Sequence, residues 1–428
     1  MRNIVEYPDF AYAPPVLGPT RTPQFLDPAA ADFLGLVPQM RFQCSSNGRA
    51  DMCSQALEIF NCFWSKDDIE SHSGQIIARI TTLVKMSEQP HGLPYPGTMP
   101  IPPQLWSFTE RHQRFFEAKE CLAADHSRCS GRIVRAHIIA RSQLKQIARN
   151  GHVVAVPNSL LAVMRMQRTG FKVEEIGVGE FSTMNCFCAD HDKTLFAPIE
   201  DALLNFSSQQ LALLHYRAIA AEFHQRRNQQ ESAASELDWE SDKPPDVRFS
   251  WIDRCSRKAS EEAYYALFRT EKLIAARRFE DVGSLVVRFD APPAVMSVGA
   301  FRPQYDFAAR RVQNFALPCC YLAMHLLAAD GAAVLAFTWL RANSAAEQFV
   351  RSFAARAREQ MASLAVQCAF EHIEHTCMSD TWWSNLERPM RAALLERVRR
   401  ANSLAYRRSP RCLSYRIPYA DWPVADVR

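Results

Sequence analysis

From Ala50 to about Met86 the apolar positions recur three and four apart, in "QALEIFNCFW" and "SGQIIARITTLVKM", the period of a helix with one buried face. Residues 1–41 carry no such period and are rich in Pro and Ala, which predicts an extended arm or irregular wrap. Six prolines in "EQPHGLPYPGTMPIPPQLW" (88–106) stop the helical pattern, since proline lacks an amide donor and crowds the preceding turn. The pattern resumes in "SFTERHQRFFEAKECLAA", where Ser107 followed by Glu110 spells a capping box.

The period then shortens. "RIVRAHII" (132–139) is short and β-branched and predicts a strand; "SQLKQIARNGHVVAV" predicts a helix closed by Asn150-Gly151, then a strand. "EFSTMNCF" predicts a further strand, and "DHDKTLFAPIEDALLNF" a helix bent or restarted at Pro198. A long helix follows in "SSQQLALLHYRAIAAEFHQRRNQQES", then a polar linker around 229–248. Beyond it come a helix in "EEAYYALFRTEKLIAARRF", strands in "SLVVRF" and "VMSVGAF", and amphipathic helix over 344–375. The order predicts an α+β chain in three parts. These are an N-terminal arm and helices (1–120), a small module between helices (121–204), and a larger, mostly helical C-terminal domain with some strands (205–428).

Composition narrows the class. The chain has 428 residues, 48% hydrophobic and 11% aromatic, which are globular values. The most apolar run, "LPCCYLAMHLLAADGAAVLAFTWL" (317–340), is interrupted by His325, Asp330 and Gly331, so it reads as a buried strand or helix pair, not a membrane span. No basic, then apolar, then small-residue leader opens the sequence. Thirteen cysteines in such a chain point to reduced thiols and metal in a cytoplasmic protein. Net charge is only +4, but its distribution is uneven. Between His126 and Val173 there is no Asp or Glu, against nine Lys and Arg. That field suits a phosphate-rich partner, with a solvated surface as the plain alternative.

The chemistry concentrates in "CLAADHSRCSGRIVRAHIIARSQL" (121–144) and "NCFCADHDKTLF" (185–196). A structural zinc site takes four thiolate or imidazole donors delivered as two close pairs. Cys188 and His191 form one short-spaced pair at a helix start, where backbone amides favour a thiolate. Cys121 and Cys129, with seven residues between them, form the other. His126 is a competing ligand and Cys186 a spare thiol. The alternative is four unrelated buried or polar residues. Elsewhere "EHIEHTCMSDTWW" (371–383) gathers His372, His375 and Cys377 without a second pair, and reads as packing around Trp382 and Trp383. "RVRRANSLAYRRSPRC" near the C-terminus is a solvated basic helix tail, with nucleic-acid contact as its other reading.

The order of these pieces is ligand pair, strand ending in a histidine, excursion, strand, then ligand pair opening a helix. It resembles the treble-clef ββα-metal fold of HNH endonucleases over about residues 121–200. The resemblance implies that His137, in "RAHII", is the general base, that Asp192 stands where the family's second metal-binding side chain lies, and that Asn185 is a displaced counterpart of the family's middle asparagine. The chain departs from the family in having no histidine one turn after His191 and a long excursion between His137 and Cys188. The cofactors implied are structural zinc, plus Mg or Mn if the site is catalytic. The partner implied is nucleic acid, DNA before RNA, contacted by Arg135, Arg141, Lys145 and Lys193, with protein partners also expected and no membrane. "AHIIARSQLKQIARNGHV", "FCADHDKTLFAPIE" and "SDTWWSNL" also resemble segments of a bacterial family of unassigned activity. The expectation is an HNH-like, metal-dependent nuclease effector that cuts phosphodiester bonds. A non-catalytic zinc-containing scaffold or sensor that binds nucleic acid or protein is the rival.

Overall fold

The computed structural model describes residues 103–239, 247–315, 317–402 and 408–428. The arm over 1–41 and the helical pattern over 50–86 lie outside these residues. The first described element is helix α1 (Pro103–Phe116). It runs from Pro103, so Ser107 and Glu110 lie inside the helix and do not cap it.

An antiparallel ribbon of β1 (Ile133–His137) and β4 (Thr183–Cys188) is followed directly by helix α4 (Ala189–Glu200). Between β1 and β4 the chain makes the short helix α2 (Arg141–Leu144), β2 (His152–Ala155), α3 (Leu160–Thr169) and β3 (Glu174–Gly177). The helix expected over 142–149 shrinks to that single turn. Asn150 and Gly151, at φ 52° and 77°, form a tight reversal closed by paired hydrogen bonds between Arg149 and His152. Pro198 sits in the last turn of α4, which ends two residues later without restarting.

Two long helices come next, α5 (Ser208–Trp239) and α6 (Val247–Ala275). Helix α5 extends through the first half of the expected polar linker: its buried Asn228, Ser232 and Glu236 give that stretch a packed face despite its polarity. After α6 come β5 (Val282–Phe289), β6 (Val295–Phe301), β7 (Leu322–Ala329) and β8 (Ala332–Leu340). Then follow α7 (Ser344–Ala354), α8 (Arg358–His372), β9 (Thr376–Met378), α9 (Asp380–Asn385), α10 (Arg388–Ala401) and β10 (Val424–Val427).

Eight strands form one antiparallel sheet in the order β10-β5-β8-β7-β6-β9-β2-β3. Every residue of β7 and β8 is buried, so the most apolar run of the chain is a central hairpin covered on both faces. Its two-residue turn, Asp330 and Gly331 at φ 47° and 72°, has the left-handed geometry that matches strand twist. Alternate side chains go to opposite layers. Ala323, Val334 and Ala336 pack with α5 and α6, and Met324, Leu335 and Phe337 with α7 and α8.

The sheet also revises the expected domain boundaries. Strands β2 and β3 come from the excursion inside the 121–204 segment, yet β2 pairs with β9 and carries β3 as the edge strand of the C-terminal sheet. Residues 94–428 accordingly form one compact unit, with no boundary at 204. Among the described residues no helix is long and apolar enough to cross a membrane.

Candidate metal centre and the cleft beside it

The candidate metal donors are brought together by β4. Cys188 is its last residue and the N-cap of α4, and His191 lies in the first turn of that helix. On the edge of β4 away from β1, residues 120–122 run alongside it: the amides of Glu120 and Leu122 donate to the carbonyls of Asn185 and Cys186. This sets Cys121 opposite Cys188. Cys129 follows a 3-10 turn (His126–Arg128) whose start is capped by Asp125, the Ser127 amide donating to its carboxylate at 3.1 Å. Gly131, at φ 70°, then turns the chain into β1.

The ligand atoms of Cys121, Cys129, Cys188 and His191 all lie within 4.8 Å of one another. Nδ1 of His191 is 3.3 Å from Sγ of Cys121 and 3.2 Å from Sγ of Cys188. A tetrahedral zinc ion holds its sulfur and nitrogen donors roughly 3.5 Å apart. The donor set and spacing therefore fit a metal ion such as zinc, held by three cysteines and one histidine. His126 is exposed and Cys186 belongs to the core, so neither competing donor joins the cluster. None of the described cysteines is in a disulfide.

The electrostatics favour a thiolate. Burial works against ionising Cys188, but the His191 amide, the Ser130 hydroxyl and amide, and Cys129 outweigh it and hold that thiol down to about 6. Burial pushes Cys121 up to about 11. Metal binding at such a set displaces the protons that the thiols still hold.

Beside this centre lies an open cleft of about 270 Å³. Its lining includes Arg135, His137, Arg141, Asp192, Glu200 and Asp201. The β1–β4 register places His137 opposite Thr183, at the strand end away from the metal donors. Its Nε2–H donates to the Val178 carbonyl at 2.9 Å, which leaves Nδ1 as the proton acceptor of the ring. Asp192 comes from the first turn of α4. Burial pushes its carboxyl up, Arg217 works the other way, and Glu200 and Cys188 reinforce burial. Its Oδ1 is buried without a hydrogen-bond partner. Arg217, from α5, bonds Glu200 at 2.7 Å and lies 4.0 Å over the Phe196 ring, bracing this face of α4.

Of the residues expected to contact a substrate, His137, Asp192, Arg135 and Arg141 meet at the cleft. Asn185 does not: its amide donates to the Glu117 carbonyl at 3.4 Å, tying β4 to the segment after α1. Lys145 and Lys193 are exposed and lie outside the lining. Part of the basic run is neutralised, with Arg149 paired to Asp380 at 2.8 Å and Lys172 to Glu174 at 3.0 Å. Sequence reasoning missed Glu200 and Asp201. Glu200 could have been found, since Asp192, Phe196 and Glu200 repeat every four residues along one helix face. Arg217 approaches from a separate helix and carries no local signal.

The two other tempting clusters are structural. Among the described residues no second group of metal donors converges, and Glu371 instead pairs with Arg397 at 2.9 Å and Arg408 at 3.6 Å. Arg399 and Arg400 in the basic tail both bond Glu396. Compared with family models, curated proteins and solved structures, the chain matches none.

Proposed function

We propose that residues 121–200 form an HNH-like ββα-metal module in which a structural zinc ion braces a hydrolytic cleft for nucleic acid. The observation that carries this reading is the meeting of His137 and Asp192 in one open cleft beside the three-cysteine, one-histidine cluster. His137 has a free Nδ1, the atom a general base needs to take a proton from water. Asp192 offers a carboxylate oxygen with no protein partner, the hard donor that Mg or Mn prefers. Among the described residues no third donor closes on it. That suits an ion bound by one or two carboxylates and completed by water and substrate phosphate. When bound, such a cation stabilises charge on the phosphoryl group. Arg135 and Arg141, neither with an ion pair among the described residues, flank His137 and would hold the backbone phosphates. DNA is the expected substrate before RNA, in a reducing cytoplasm that keeps the thiols available to zinc.

The test uses the full chain with its zinc content measured. Plasmid, linear duplex and single-stranded DNA and RNA are each incubated with Mg or Mn. Cleavage is expected, and His137→Ala should lower its rate by about 100-fold or more while zinc content and melting temperature hold. No cleavage of any of these substrates, or an unchanged rate in His137→Ala, overturns the nuclease reading in favour of a binding scaffold.

A further inference from the structure

Six large hydrophobic side chains are exposed among the described residues, and half of them lie within five positions of α6: Tyr264 (51%), Tyr265 (53%) and Phe268 (40%). Their spacing puts them on one side of the helix. The opposite side, Ala259, Ala263, Ala266, Leu267 and Thr270, is buried. The rings are held in position. Tyr264 packs on Phe223 of α5 at 5.5 Å and stacks with Phe268 at 6.4 Å and 20°. Cations sit against them: Lys272 Nζ is 4.2 Å from the centre of the Phe268 ring, and the Arg269 guanidinium 5.7 Å from that of Tyr265.

We infer that this face of α6 is a stacking platform for single-stranded nucleic acid. An apolar protein partner would bury the rings but strip water from Lys272 and Arg269 without supplying an opposite charge, which is costly. A nucleic-acid strand supplies both complements at once, a flat base for each ring and a phosphate for each cation. A duplex cannot, because its bases are already stacked on one another. Glu261 stands one turn before the tyrosines and Lys272 one turn after Phe268, so the cationic end of this face lies toward the C-terminus of α6.

The platform helix also reaches the loop of the candidate metal centre. Glu271, on the same helix, accepts a hydrogen bond from the Tyr216 hydroxyl at 2.7 Å, and the Ala124 amide, inside the loop between Cys121 and Cys129, favours its carboxylate. The platform deepens the nucleic-acid reading of the module by naming the form of strand, but it does not require cleavage.

The experiment measures fluorescence anisotropy of a labelled oligothymidylate of about 12 nucleotides, and of a matching duplex, with the full chain. The single strand should bind more tightly than the duplex. Combining Tyr264→Leu with Phe268→Leu keeps apolar packing but removes the stacking faces, and should weaken single-strand binding by about 100-fold. Lys272→Ala should flatten the salt dependence by roughly one counterion. Unchanged affinity in the folded double variant, or equal binding of duplex and single strand, overturns the platform. So does loss of a protein contact in that variant with oligonucleotide binding intact. The two readings fail separately. Cleavage with platform variants that bind like wild type sinks only the platform. Ring-dependent binding with no His137-dependent cleavage sinks only the nuclease.

Discussion

Lowering the pH from about 7 to about 5 should cost this protein a large part of its stability, because its core holds neutral histidines. His215, His224 and His325 are each at most 1% exposed. Burial holds them down to about 4, 4 and 3, from an ordinary value of 6.5. The folded values lie below the unfolded one, so stability is intact above about pH 6.5 and falls as the pH drops toward about 4. At about pH 5 an unfolded histidine is almost wholly protonated and a buried one almost wholly neutral, a difference of about 2 kcal/mol each. Three together lose about 6 kcal/mol, against a total stability of about 5–15 kcal/mol for a folded domain. His112, His372 and His375 are depressed by burial too and push the same way. Asp192 and Glu271, whose carboxyls burial raises, oppose the trend only in part. The assay is denaturant unfolding at several pH values, reading midpoint and slope. Acid also protonates metal-binding thiolates, so the series is repeated on Cys188→Ser with chelator, which should keep the same pH slope. Equal stability at about pH 7 and about pH 5, or a slope that vanishes with the metal, would refute the argument.

Three further outcomes are expected. Purified protein should carry one zinc per chain, measurable by plasma emission, and Cys121→Ser or Cys188→Ser should lose it, since both thiols sit in the converging cluster; full retention would mean the donors are other residues. Glu371→Gln should destabilise by about 3–5 kcal/mol in denaturant titrations, because it leaves the Arg397 and Arg408 charges without their buried counterpart. Gly283→Ala puts a Cβ 2.6 Å from the Trp339 ring; the overpacking should cost about 1–3 kcal/mol and alter tryptophan fluorescence.

Much of the local structure was legible because its signals are local. The β-branched run before His137, the strands expected in "SLVVRF" and "VMSVGAF", and the helical runs over 207–232 and from residue 261 onward follow from side-chain period alone. The four residues that converge as candidate metal donors were legible for a related reason: few residue types bind zinc, and pairs of them stand close along the chain. The boundary expected at residue 204 failed because pairing between strands is a long-range property. Nothing in "HVVA" says that it will join "TCM" more than two hundred residues later. The first part of the polar linker failed similarly, since Glu236 is buried in a helix where Arg111, from another helix, meets it at 2.7 Å, while residues 240–246 lie outside the described residues.

The chain's own chemistry thus settled which atoms could bind metal and which segments could be helix or strand, because thiol, imidazole and backbone preferences travel with each residue. Folding alone determined that His137 and Asp192 share a cleft while Asn185 turns away. It also determined that Glu200 and Arg217 brace one side of that cleft and that three aromatic rings on α6 stay in water. Those outcomes depend on which surfaces pack together, and packing is fixed by complementarity between distant segments that no local pattern encodes.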